Sequence, residues 1–130
     1  MSNINFLYKK STSLTTILAV ILSFTILCLT ACSNSSVSLE KISPNPIQAN
    51  QGFNVQPNGD SILILEVKNA DKNTMVIIDG SQIKAEFINE NSLHIVAPKS
   101  ITSVAGSYSV SLSDNTKNVK SNELFLVVNK

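Results

Sequence analysis

The sequence predicts an all-β protein: an antiparallel sandwich of about seven short strands, preceded by a cleaved amino-terminal signal. Three observations carry that reading. Apolar and polar residues alternate with a period of two through much of residues 37–130. Clusters of Asn, Asp, Gly, Ser and Pro interrupt the alternation at short intervals. No stretch keeps a helical period. A small barrel is the competing architecture.

Val37 and Leu39 open the first strand. Pro44 and Pro46 end it, and two prolines so close suit an edge strand or a crossover. Gly52 to Gln56 reads as a short strand, and Pro57-Asn58-Gly59-Asp60 as a turn. Ile62 to Val67 is the strongest apolar run. Thr74 to Ile78 is β-branched and ends at Asp79-Gly80, a hairpin signal. Gln82 to Ile88 follows, with Ile83, Ala85 and Phe87 on one face. Leu93, Ile95 and Ala97 alternate with Ser92, His94 and Val96 until Pro98, and Ser100 to Gly106 is a loop. In Ser107 to Ser113, Tyr108, Val110 and Leu112 take one face and four serines the other. One side is therefore core and the other water. Asp114 to Asn118 is a turn, and Glu123 to Val128 the last strand.

The amino end is of another kind. Lys9 and Lys10 precede a run from Leu14 to Leu29 that carries no charge. A charged start, an apolar middle and a small-residue end make a secretory signal. The run is short for a membrane-spanning helix, which needs about 20 apolar residues. An uncleaved anchor and ordinary secretion are the competing readings. Leu29-Thr30-Ala31-Cys32 resembles the lipobox of bacterial lipoproteins. That resemblance implies lipid on the Cys32 thiol and cleavage before Cys32; the Asn/Ser composition then reads as a flexible tether over residues 32–36, and the β pattern as a domain over residues 37–130. The lipobox also implies a membrane contact through the lipid, at the outer membrane of a Gram-negative cell or the outer face of a single membrane. One acyl chain binds only marginally and two anchor stably.

From Cys32 onward the chain has eight Lys, no Arg and nine Asp or Glu, so it is almost neutral. Nucleic-acid binding needs a cationic footprint, and none is present. Cys28 lies in the signal, so Cys32 has no partner for an internal disulfide.

From about Ile42 onward the chain resembles the IPT/TIG family of immunoglobulin-like sandwich domains. The carriers are Ser43-Pro44; Gly59 with Ile62 and Ile64; Val76-Ile77-Ile78-Asp79-Gly80; Leu93 to Pro98; Gly106-Ser107-Tyr108-Ser109-Val110; and Ser121-Asn122 with Phe125 and Val127. Here Ala97 separates a valine and a proline that the family places together. The resemblance implies an immunoglobulin-like fold and roles in adhesion, in spacing domains, or beside carbohydrate-active modules. It brings no catalytic residues. Many relatives are parts of longer chains, whereas this domain is expected to stand alone.

The candidate sites are few. His94, the one histidine, has no cysteine or clustered carboxylate near it in sequence, so no metal site is expected. Asp60, Asp71, Asp79 and Asp114 fall in turns without the spacing of a calcium loop, and Asp is an ordinary turn former. No nucleophile elbow, phosphate loop or dinucleotide fingerprint occurs, so no enzyme and no cofactor are expected. No Trp is present to build a sugar platform, although polar grooves stay open as sites. Two strands are apolar on both faces. Their second stripes, Ile62/Ile64 and Leu124/Leu126, are the candidate partner surface. The expectation is a lipid-anchored, non-enzymatic envelope module that contacts another envelope or extracellular protein. A structural accessory of an envelope or polysaccharide assembly, a glycan-binding module and a small hydrolase are the alternatives.

Overall fold

A computed structural model describes residues 35–130; the signal and Leu29, Thr30, Ala31 and Cys32 lie outside the described residues. Among the described residues, ten strands make two packed sheets and one helical turn joins them: β1 (Ser38–Ser43), β2 (Ile47–Gln48), β3 (Ile62–Lys68), β4 (Thr74–Ile78), β5 (Ser81–Lys84), β6 (Glu86–Asn89), β7 (Ser92–Val96), α1 (Lys99–Thr102), β8 (Gly106–Asp114), β9 (Val119–Lys120) and β10 (Leu124–Asn129). One sheet has the order β1-β3-β7-β6. The other runs β2-β10-β8-β4-β5, with β9 also paired to β8. All pairings are antiparallel except β2 on β10. This is the expected immunoglobulin-like sandwich.

Of the two readings open for the prolines, an edge strand or a crossover, the chain takes the crossover. β1 belongs to the first sheet; past Pro44 and Pro46 the chain joins the second as β2. A ring without an N–H cannot serve a ladder, so the strand breaks there. A second switch was not expected. Gln82 to Ile88 is not one strand: Ser81–Lys84 pairs with β4, and Glu86–Asn89 pairs with β7 in the opposite sheet. Ala85, small and packed against the core, sits at the corner. Gly52 to Gln56 is not a regular strand and keeps a single bridge, Val55 to Ser61. The expected loop after Pro98 begins with the short helix α1.

The turns explain the Asn-rich composition. Asn50, Asn54, Asn69, Asp79 and Asn118 all have positive φ, which Asn and Asp tolerate better than other side chains. Asp79 (φ 49°) and Gly80 (φ 83°) are the two central residues of the β4–β5 hairpin. Positive φ at both is what a type I′ turn requires.

Alternation builds the core. Leu63, Leu65 and Val67 of β3 face Val76 and Ile78 of β4, Leu93 and Ile95 of β7, Val110 and Leu112 of β8, and Leu126 and Val128 of β10 within one buried cluster. Phe87 and Tyr108 are partly buried against it, on the faces the alternation assigned them. The Tyr108 hydroxyl donates to the Val104 carbonyl at 2.9 Å and ties down the loop before β8. Ser113, expected in water, is buried because β9 pairs beside it.

Candidate functional site

Register decides what each sheet shows to solvent. On the first sheet, Ile64 stands between Ser43 of β1 and His94 of β7, and His94 in turn faces Glu86 of β6. One row away, Ile62 faces Val96. The row on the other side is polar: Lys41, Glu66 and Ser92, with Lys41 and Glu66 3.3 Å apart. The outer face is thus divided into an apolar part, Ile62, Ile64 and Val96, and a charged part. Val96 is 49% exposed, and Ile62 and Ile64 are half-buried.

Two shallow depressions meet on the apolar part. One, of about 310 Å³, lies over Ile62, His94 and Val96 toward Lys84 and Glu86. The other, of about 450 Å³, extends from Ile62, His94 and Val96 to the Gln56-Pro57-Asn58 turn. The turn is held in place by Asn54, which donates to the Ile62 carbonyl at 3.1 Å, and by Gln56 N–H, which donates to the Asp60 carbonyl at 2.8 Å. Together they form one groove with an isoleucine–valine floor, an imidazole at its middle and a carboxylate at its margin.

The expected partner stripe on β10 needs correction. Leu126 is fully buried and Leu124 packs against the core. The residues that face solvent are Phe125 (53% exposed) and Val127 (39%). Pairing with β8 fixes this parity: Leu124 lies opposite core Val110 and Leu126 opposite Tyr108, so Phe125 and Val127 join Ser109 and Ser107 on the outer face. Ile62 and Ile64 do lie on the outer side of their strand. The two stripes therefore belong to opposite sheets and form no common surface.

The other candidates resolve into structural roles. Asp71 and Asp114 share one cation. Lys117 Nζ lies 3.0 Å from Asp71 Oδ2 and 3.2 Å from Asp114 Oδ2. Asp114 Oδ1 also accepts from the Thr116 hydroxyl and from the N–H groups of Thr116 and Lys117. Those bonds, the Thr116 hydroxyl foremost, outweigh its burial and hold its pKa at about 2. Lys117 is held above its usual value, mainly by Asp71. Asp60 accepts from the Asn58 amide at 2.9 Å, and Asp79 forms the hairpin turn. Among the described residues, no three His, Cys, Asp or Glu side chains are grouped to hold a metal.

The IPT/TIG domain family matches residues 37–127, and the chain belongs to that family. Its members are non-catalytic, immunoglobulin-like modules that often mediate contacts with other macromolecules. No curated protein matches the chain significantly.

Proposed function

We propose that the protein is a non-enzymatic interaction module, lipid-anchored at Cys32 in the cell envelope, that holds a protein partner against the groove on its four-stranded sheet. One observation carries this reading: Ile62, Ile64 and Val96 form an apolar surface on the solvent side of strands whose other side is already filled by core. Burying such area from water contributes about 25 cal/mol per Å². A charged border fixes register and orientation more than it adds affinity. The lipobox Leu29-Thr30-Ala31-Cys32 supports the anchor and the envelope location.

In-cell crosslinking of the full chain followed by mass spectrometry tests this. The wild type is expected to capture a discrete protein at the membrane. Ile62→Lys should lose that protein yet keep the folded domain. Cys32→Ser should leave the membrane fraction. An undiminished crosslink in Ile62→Lys would remove the groove from the interaction, and a Cys32→Ser chain that stays with the membrane would remove the lipid anchor.

A further inference from the structure

At one end of the sandwich, four chain segments border an open cleft of about 420 Å³ with a mixed polar and apolar lining, within the range of small-ligand sites. Its walls are the Asn50-Gln51-Gly52 segment, the Gly59-Asp60-Ser61 turn, the end of β7 through Pro98, and α1. Backbone bonds fasten these walls to one another. Asn50 N–H donates to the Thr102 carbonyl at 2.9 Å, Ala97 N–H to the Ser61 carbonyl at 2.9 Å, and Phe53 N–H to the Ser61 hydroxyl at 3.3 Å. The shape is therefore set before any ligand arrives, which lowers the ordering cost of binding.

Ser61 and Ser103 are tied to the backbone of the walls, but the larger polar side chains on this cleft are mostly uncommitted. Among the described residues, the amides of Asn50 and Gln51, the Lys99 ammonium and the Thr102 hydroxyl make no side-chain hydrogen bond, and the Asp60 carboxylate accepts only from Asn58. They comprise one cation, one anion and three neutral groups that together both donate and accept. An apolar ligand would strip water from all five without replacing it, at a cost. An anion would meet Asp60, and a cation Lys99. A hydroxyl group satisfies both, donating to the carboxylate and accepting from the ammonium. Val96, Ala97 and Pro98 add an apolar strip for C–H surface.

We infer that this cleft is a binding site for an uncharged, hydroxyl-rich ligand, of the class of a short glycan or glycan end. The cleft shares Val96 with the groove proposed above, but its polar side chains lie outside that groove and do not depend on the protein partner. With no aromatic side chain lining it, affinity rests on hydrogen bonds and is expected to be weak.

Saturation-transfer NMR on the full-length protein in detergent, with millimolar cellobiose and N,N′-diacetylchitobiose as probes, tests the inference. The wild type should transfer saturation to at least one sugar. The double variant Gln51→Ala/Thr102→Val should lose the signal at least severalfold, and Asp60→Asn, which keeps its shape, should weaken it. Phe125→Ala, on the other sheet and outside the cleft lining, should leave it unchanged. No transfer from the wild type to either sugar would overturn the assignment, as would full signal in both cleft variants.

Discussion

Asn122 pairs both ends of its side-chain amide with the backbone of Leu39: its Oδ1 accepts from Leu39 N–H at 2.9 Å and its Nδ2 donates to the Leu39 carbonyl at 2.8 Å. One side chain from the segment before β10 thus acts as a strand residue for β1, in the opposite sheet. The edge of β1 is satisfied at that point, where an open edge would invite pairing with another chain. Asn45 does the same for β10, donating to the Phe125 carbonyl at 2.8 Å and accepting from Val127 N–H at 3.0 Å.

Asn122→Ala removes both bonds and leaves Leu39, itself buried, with two unpaired backbone groups. The expected loss is about 1–3 kcal/mol. Urea unfolding followed by circular dichroism measures it, and a change within error would show that water replaces the amide at no cost.

The parity of β10 separates two neighbouring substitutions. Leu126→Ala opens a cavity in a fully buried site and should cost about 2–5 kcal/mol. Phe125→Ala acts on a side chain that is half in water and should stay within about 1 kcal/mol. Thermal melts of the two variants should therefore be far apart. Equal melting temperatures would contradict the β8–β10 register.

Asp114 makes the fold sensitive to acid. Its folded pKa is about 2, against an ordinary value of 3.8. The contribution is complete above pH 3.8 and is lost as pH falls toward 2, because the unfolded chain takes up the proton first. Asp114→Asn keeps an acceptor for the turn but cannot titrate. Its urea midpoint should fall less steeply than the wild type's over that interval. Parallel curves would assign the acid response to other carboxylates.

Gly80 has φ 83°, and a Cβ there would meet no atom within 4 Å. Gly80→Ala therefore isolates backbone strain from crowding, and about 1–2 kcal/mol is expected. A smaller loss in chemical denaturation would mean that the hairpin relaxes to another turn.

Much of the fold was legible because it rests on local pattern. Asp79-Gly80 announced a hairpin, Pro44 and Pro46 an edge strand or a crossover, and the serines of β8 an outer face, which holds for all but Ser113. Two features were not. In Leu124 to Val128 every residue is apolar, so alternation carries no phase; only pairing with Val110 and Tyr108 sets it. Around Ala85 the period of two runs on unbroken while the chain changes sheets, since Ile83 packs on the core from one sheet and Phe87 from the other. The groove was half legible for the same reason. Ile62 and Ile64 stood out as a surplus stripe, but Val96, His94 and Glu86 reach it through register and not through sequence proximity. The cleft's place was not legible, because the segments that line it are far apart in the chain.

Ser36 sits at the end of the sandwich opposite that cleft, where its carbonyl accepts from the Asn69 amide beyond the last residue of β3. The domain measures roughly 25 Å along its strands between the two ends. Were the chain fixed at Cys32 while a ligand held the far end, tension would run parallel to the strands. β1 enters from the fixed end and is antiparallel to β3, with residues paired from Ser38–Lys68 to Ser43–Ile64. Its hydrogen bonds would then bear the load together, in shear, and would not open one after another. The geometry that sets Ser36 and the cleft at opposite ends would make such a load fall on β1 and β3 side by side.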